Sequence, residues 1–235
     1  MKKIIFTFTA FALLATMSGG IAFAVTNPLL GKIIALDAGH GGGETGATNI
    51  IDGVLVTEAE VNLSVVNALK LKLEEQGAKA VIVARLSSRK DRVNDAIAQC
   101  ATFDLNNDGV GDKCNALVSI HHNGSTDANY DGTLVIYNEK KDKPLAEKLL
   151  AVLTPLTGNS DGLENGGYGM TVYGNLVSVI TEAYFITNDA KASRYLNDLN
   201  AEGVSNLVLE EADAQVKGIS DYFASQTSGG GGRPR

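Results

Sequence analysis

Apolar positions along this chain switch repeatedly between two periods. Ile33, Ile34, Ala35 and Leu36 form a short continuous run that stops at Asp37 and leads into Gly39-His40-Gly41-Gly42-Gly43. A run of that length with glycines behind it predicts a buried strand entering a loop. From 58 to 76 the spacing changes: Val61, Val65, Leu69 and Leu73 recur every four residues, and Gly77 supplies the stop of a helix. Residues 80–84 are apolar and β-branched, a second strand, and 92–101 reads as a short helix. A third strand is expected at 116–120, a fourth at 133–137 and another at 177–180. Residues 145–153 return to helical spacing with Pro144 suited to the first turn, and 204–223 closes the pattern as a helix. The glycine-rich stretch 158–169 is expected to be a surface loop that could act as a lid.

Strands that alternate with helices predict an α/β fold: a single domain with a mostly parallel twisted sheet flanked by helices. Ligands of such folds gather beyond the carboxyl ends of the strands. His40, His121 and Glu182 each fall just past an expected strand end.

The two ends of the chain read differently from the middle. Met1-Lys2-Lys3, an apolar run at 4–17 and Ala22-Phe23-Ala24 make a secretory signal peptide at 1–24. The apolar run is too short and too interrupted for a spanning anchor, and no cysteine follows the cleavage site. The remainder, 25–226, suits one domain with a full core, and the glycine-rich 227–235 is expected to be a tail or linker scar. Export to the periplasm or to the wall outside follows, with no membrane anchor once the signal is cleaved. Without Lys2, Lys3, Arg233 and Arg235, 16 basic residues face 27 acidic ones. That balance argues against nucleic acid as a partner, because phosphate binding needs a basic surface.

Histidine is the scarce residue: there are three, and two of them, His121 and His122, end an apolar strand. A catalytic zinc takes three protein ligands and leaves one position open. His40, Glu58 and His121 would make such a set, although their spacing forms no compact motif. Glu60 has a structural job in a capping box with Thr57, which leaves Glu58 free to face a metal; the bland alternative is that Glu58 only complements the helix dipole. Neighbours in extended chain face opposite sides, so one of His121 and His122 faces the site. Asn123, on the same side as His121, is a candidate for orienting a ligand or substrate, whereas His122 is either a supporting group behind the ligands or simply exposed. Glu182, at the end of a buried strand, is either salt-bridged or a general base.

These residues carry a resemblance. Four blocks, IALDAGHGG, EAEVNL, SIHHN and EAYFITN, come in an order that resembles the zinc-dependent N-acetylmuramoyl-L-alanine amidases of bacterial peptidoglycan. The resemblance spans 32–223. It implies His40, Glu58 and His121 as zinc ligands, selecting His121 over His122, and Glu182 as the catalytic carboxylate. The implied reaction is metal-assisted hydrolysis of the amide between muramic acid and L-alanine. Ala59 stands where the family usually has a basic residue, and Ala183-Tyr184 replaces its usual Leu-Gly, which bears on substrate preference. A protein activator is left open. The alternatives are a non-catalytic wall-binding protein on the same fold and a zinc hydrolase of another stem-peptide amide.

One stretch lies outside that resemblance. In CATFDLNNDGVGDKCN, Asp104, Asn106, Asp108 and Gly109 match the first half of an EF-hand loop. Val110 at the seventh position offers its carbonyl and Asp112 a further carboxylate, so a structural calcium is expected here, the alternative being a plain surface turn. Asn115 occupies the twelfth position instead of glutamate. The only two cysteines, Cys100 and Cys114, flank the loop and would close it as a disulfide in an exported protein.

Overall fold

A continuous apolar strand needs cover on both faces, and β1 (Ile33–Ala38) receives it, since all six residues are buried. A computed structural model describes residues 27–228. The expected signal peptide and 229–235 lie outside the described residues, and α6 (Asn206–Ser228), which follows the short helix α5 (Asp189–Asn197), runs two residues into the segment expected as tail. β1 lies in a six-stranded sheet with β4 (Lys79–Ile82), β5 (Ala116–Asn123), β6 (Thr133–Tyr137), β7 (Ser160–Asn165) and β8 (Ser178–Phe185). The order is β4-β1-β5-β8-β6-β7, and every pairing is parallel except β6 with β8. The chain is a single α/β domain with a mostly parallel sheet flanked by helices.

Period-two alternation divides the sheet between two unequal layers. Ile34, Leu36, Val118, Ile120 and Val179 face α1 (Glu58–Glu75), α3 (Lys143–Leu153) and α6, whose Val61, Val65, Leu69, Leu145, Leu149 and Ile219 complete the larger core. Ile33, Ala35, Leu117, Ile136 and Ile180 face the smaller layer, where α2 (Arg89–Cys100) and the single turn α4 (Gly169–Val172) contribute Val93, Ala96 and Met170. His121 and Glu182 alternate onto the side of the smaller layer, where each is only partly buried.

The stretch 158–169 is not a loop throughout. It contains β7, which pairs with β6 from Thr133 to Tyr137. β7 is an edge strand with one apolar side chain, Leu163, so it carries none of the alternation that marks a half-buried strand. A further hairpin, β2 (Thr48–Ile51) and β3 (Val54–Thr57), turns through Asp52 and Gly53 with φ of 50° and 81°. Both positive angles belong to a type I′ turn, the chemistry for which Asp-Gly is suited. β3 ends on Thr57, the N-cap of α1, so the hairpin sets where that helix begins.

The segment between α2 and β5 is closed by a Cys100–Cys114 disulfide with Cα atoms 5.3 Å apart. Closing a loop of this length removes about 3 kcal/mol of unfolded-chain entropy. Beneath it, Arg92 and Asp37 pair at 2.9 Å with both side chains buried, and Ser119 Oγ donates to the other Asp37 oxygen at 2.6 Å. Removing one partner of a buried pair strands the other charge. Arg92→Ala is expected to cost roughly 3–5 kcal/mol, read from urea unfolding at pH 7. A loss below about 1 kcal/mol would show that Asp37 does not depend on the guanidinium.

Candidate metal centre

The chain leaves β1 at Ala38 and turns at once. Gly39 N–H donates to Ile120 O at 2.9 Å, and its Cα lies under the next strand's imidazole: a Cβ there would come within 2.3 Å of the His121 ring. Glycine is therefore required by close approach. His40 follows with φ of 60°, a left-handed conformation costly for a side-chain-bearing residue. Two guanidinium groups hold it there. Arg92 Nη2 donates to His40 O at 2.7 Å and Arg85 Nε donates to it at 3.1 Å.

Glu58 is the first residue of α1. Thr57 Oγ1 accepts the Glu60 N–H at 3.2 Å and donates to Glu60 Oε2 at 3.1 Å, which keeps Glu60 at the helix start. Glu58 instead turns inward and is almost fully buried. Its Oε2 lies 3.0 Å from His40 Nε2 and accepts Ala47 N–H at 3.0 Å. Its Oε1 lies 2.9 Å from His121 Nδ1 and accepts His122 N–H at 3.2 Å. Burial alone would raise the pKa of this carboxyl. The hydrogen bonds from His121 and His40, the charge of His121 and the Ala47 amide outweigh it and hold the group well below the usual carboxylate range.

β5 and β8 run three and five residues beyond their expected ends, so His121 and Glu182 sit inside strands, side by side in register. The neighbouring histidines diverge as extended backbone requires. His121 faces His40, with ring centroids 5.0 Å apart, whereas His122 is buried against the α1 and α6 layer. His122 is thus not an exposed residue. Asn123 lies at a register shift between β5 and β8, and its Oδ1 accepts the Gly124 N–H at 2.8 Å, so it shapes the loop that follows.

Glu182 Oε2 is sealed from solvent and has no hydrogen-bond partner. The lost hydration raises its pKa well above the ordinary value, and the negative charges of Glu58 and Glu164 raise it further. Glu164 reaches this neighbourhood through β7: the registers Leu134↔Glu182 and Ile136↔Glu164 put both carboxylates on one face of the sheet. Tyr168 Oη donates to Glu164 at 2.8 Å beside them.

The ligand atoms of His40, Glu58 and His121 lie within 4.8 Å of one another. Ligands of a tetrahedral zinc stand about 3.3 Å apart, given bonds near 2.0–2.2 Å. Two imidazoles and an ionised carboxylate at this spacing fit a zinc-type donor set, and among the described residues no other group of three His, Cys, Asp or Glu side chains converges so closely.

Comparison with known proteins identifies the family of the chain. The model of the N-acetylmuramoyl-L-alanine amidase family termed Amidase_3 matches residues 34–211. The chain belongs to that family. LytC of Bacillus subtilis, an N-acetylmuramoyl-L-alanine amidase, is 33% identical over 182 residues, which cover 76% of this chain and 34% of LytC. The chain therefore spans about a third of the length of that relative. The catalytic domain of CwlV from Bacillus (Paenibacillus) polymyxa var. colistinus superposes with a TM-score of 0.66 at 24% identity, covering 82% of this chain and 98% of that one. CwlD of Clostridioides difficile, solved in complex with the lipoprotein GerS, gives 0.61 at 24% identity over 83% and 99% of the two chains. At that identity the two structures speak for the amidase fold.

The Asp-rich loop stands apart from the His40, Glu58 and His121 cluster. Asp104 accepts Asp108 N–H and Gly109 N–H, Asn106 Oδ1 accepts Asp108 N–H, Asp108 accepts Val110 N–H, and Asp112 accepts Leu105 N–H. These oxygens satisfy the loop's own backbone, and the three carboxylates do not draw together as the His40 set does. The calcium expectation gains no support from that arrangement. Sequence reading also passed over Arg85 and Arg92, whose role as clamps on the His40 carbonyl has no signature in spacing.

The Glu182 shift has a consequence for stability. In the metal-free protein its raised pKa means that the folded state binds the proton more tightly than the unfolded chain does. This contribution is complete below the unfolded carboxyl value of about 4.3 and is lost as pH rises through the folded value. Glu182→Gln should therefore flatten the fall in stability above that pH. Urea midpoints of both metal-free proteins at acidic, neutral and mildly alkaline pH read this directly, and parallel curves would refute it.

Proposed function

We propose that this chain is an exported, zinc-dependent N-acetylmuramoyl-L-alanine amidase that hydrolyses the amide between muramic acid and L-alanine in peptidoglycan. The observation that carries the reading is the meeting of His40, Glu58 and His121, distant in sequence, with Glu182 beside them on the same sheet face. Family membership supports the bond that is cut. The basic start, apolar run and small-residue cleavage signature at 1–24 support export, to periplasm or wall, where peptidoglycan lies. CwlD with its lipoprotein supports looking for a protein partner here as well.

His40, Glu58 and His121 would hold the zinc. A bound zinc supplies Lewis acidity, polarising the scissile carbonyl and lowering the pKa of water from about 15.7 towards 7. Glu182 accepts the proton of the attacking water in this scheme and passes it to the departing amine of L-alanine, without which the amine is a poor leaving group. The positive charge at the centre opposes the effects that raise the Glu182 pKa, so the carboxylate is a usable base only when the centre is loaded. Glu58 would bind the metal as the carboxylate, with the Ala47 and His122 amides still donating to it. Asn123 is assigned a supporting position at the rim, through the loop that it shapes.

A wall-binding protein without activity would have no reason to keep a partnerless carboxyl oxygen sealed beside the centre, since burial of such an atom costs stability. The decisive experiment digests purified peptidoglycan and analyses the products by mass spectrometry. Stem peptides with free L-alanine amino termini and intact glycan are expected from the native protein. Glu182→Gln should reduce the rate by about 100-fold or more, and chelation should abolish activity until zinc is restored. Cleavage at another stem-peptide bond would reassign the substrate, and no release by native zinc-loaded protein would remove the reading.

A further inference from the structure

Behind Glu58 lies a chain of fully buried polar groups that no packing argument requires. Asn62, one turn along α1 from Glu58, donates from Nδ2 to Gly39 O at 3.0 Å and lies 3.4 Å from Glu58 Oε1. Two acceptors on that side fix the amide orientation, so Asn62 Oδ1 points the other way, to His122 Nδ1 at 2.6 Å. Oδ1 only accepts, so Nδ1 of His122 carries a hydrogen. His122 Nε2 then faces Glu211 Oε2 of α6 at 2.8 Å, with one proton between imidazole and carboxylate. The other Glu211 oxygen lies 3.4 Å from Gln215 Nε2, which also donates to Thr181 Oγ1 at 2.9 Å. His122 is flanked by the Tyr184 ring, with centroids 4.2 Å apart. Asn62, His122, Glu211 and Gln215 are each about 0–1% exposed.

We infer that Glu211 is a positioning residue for the metal centre: from the last helix it orients His122, which orients Asn62, which holds Glu58 in place to receive the metal. This rests on the zinc reading above. Glu58 feels the relay twice, through the Asn62 amide and through the His122 backbone N–H that donates to its Oε1 at 3.2 Å. A buried His–Glu pair is an expensive way to fill a core, because apolar side chains of similar volume are often as stabilising or more so. Its cost is offset if it holds the orientation of a ligand, since partners behind metal ligands commonly set affinity by 10- to 100-fold. Glu211 touches neither metal nor substrate in this arrangement, so its effect is on affinity and ligand geometry.

The test uses the whole exported chain, stripped of metal and titrated with zinc against a chromogenic chelator, with a parallel cobalt titration followed by visible absorption. Glu211→Leu keeps the volume and removes the carboxylate. It should weaken zinc binding by roughly 10- to 100-fold and alter the cobalt bands, while the metal-free protein, with His122 Nε2 left without its partner, still folds but unfolds at a lower urea midpoint than the native one. Glu211→Gln, whose amide N–H can donate to the lone pair of His122 Nε2, should restore zinc affinity to within about threefold of native. Zinc affinity and cobalt spectrum unchanged in Glu211→Leu would overturn the inference and leave the zinc reading intact. Failure of the native protein to bind zinc would overturn both. Should Glu211→Leu not fold, Asn62→Ala cuts the relay one link nearer to Glu58 and must show the same loss of zinc affinity, or the inference falls.

Discussion

The organisation of this molecule depends on one buried carboxylate. Glu58 is enclosed almost completely, and a charge taken out of water must be met by donors or it neutralises. Its environment supplies donors from four parts of the chain: the Ala47 amide, His40 after β1, His121 and the His122 amide of β5, and Asn62 from its own helix. Each has a structural precondition. The β2–β3 hairpin ends on the residue that caps α1, which puts Glu58 at the first helical position. Gly39 and Gly46 are bare because a Cβ would come within 2.3 Å of His121 and of Glu58. His40 stays at positive φ because Arg85 and Arg92 hold its carbonyl, and Arg92 is held in turn by Asp37.

The second carboxylate gains its character from the opposite treatment. Glu182 sits one strand away from His121 on the same face, yet its sealed oxygen has no donor and its neighbours Glu58 and Glu164 are acidic. Two identical side chains are therefore driven apart, one towards the ionised form and the other towards holding its proton. Divergence of this kind separates a ligand from an acid–base group. It follows from the local backbone, because Glu58 meets the Ala47 and His122 amides whereas the sealed oxygen of Glu182 meets no donor.

What the sequence disclosed, and what it concealed, follows the same physics. Strands β1, β5 and β6 and helices α1 and α3 bury wide apolar faces, so their periods are strong. β7 and the β2–β3 hairpin bury little, and pattern reading passed over both, although Asp52-Gly53 advertises the turn. β5 and β8 were expected to stop early because His121, His122 and Glu182 interrupt the apolar run; the backbone ladder continues through them because pairing between strands does not depend on side-chain polarity. His40, Glu58, His121 and Glu182 could be singled out by scarcity, capping and resemblance. Glu211, 89 residues beyond His122, could not, because a glutamate in an amphipathic helix reads as a solvated face.

That concealed residue bears on how fold and site are joined. α6 packs against α1 and α3 and covers the larger core, so an architectural element contributes the far end of the polar chain leading to Glu58. The three converging side chains themselves come from β5, from the turn after β1 and from the start of α1, which are local features that a short stretch of chain specifies. Their relative placement is a long-range property, set where β5 passes between α1 and α6 and His122 touches both through Asn62 and Glu211. Ala183 and Tyr184, where the family resemblance breaks, are both fully buried in the larger core, and the Tyr184 ring flanks His122, so these departures fall beside the polar chain that restrains Glu58.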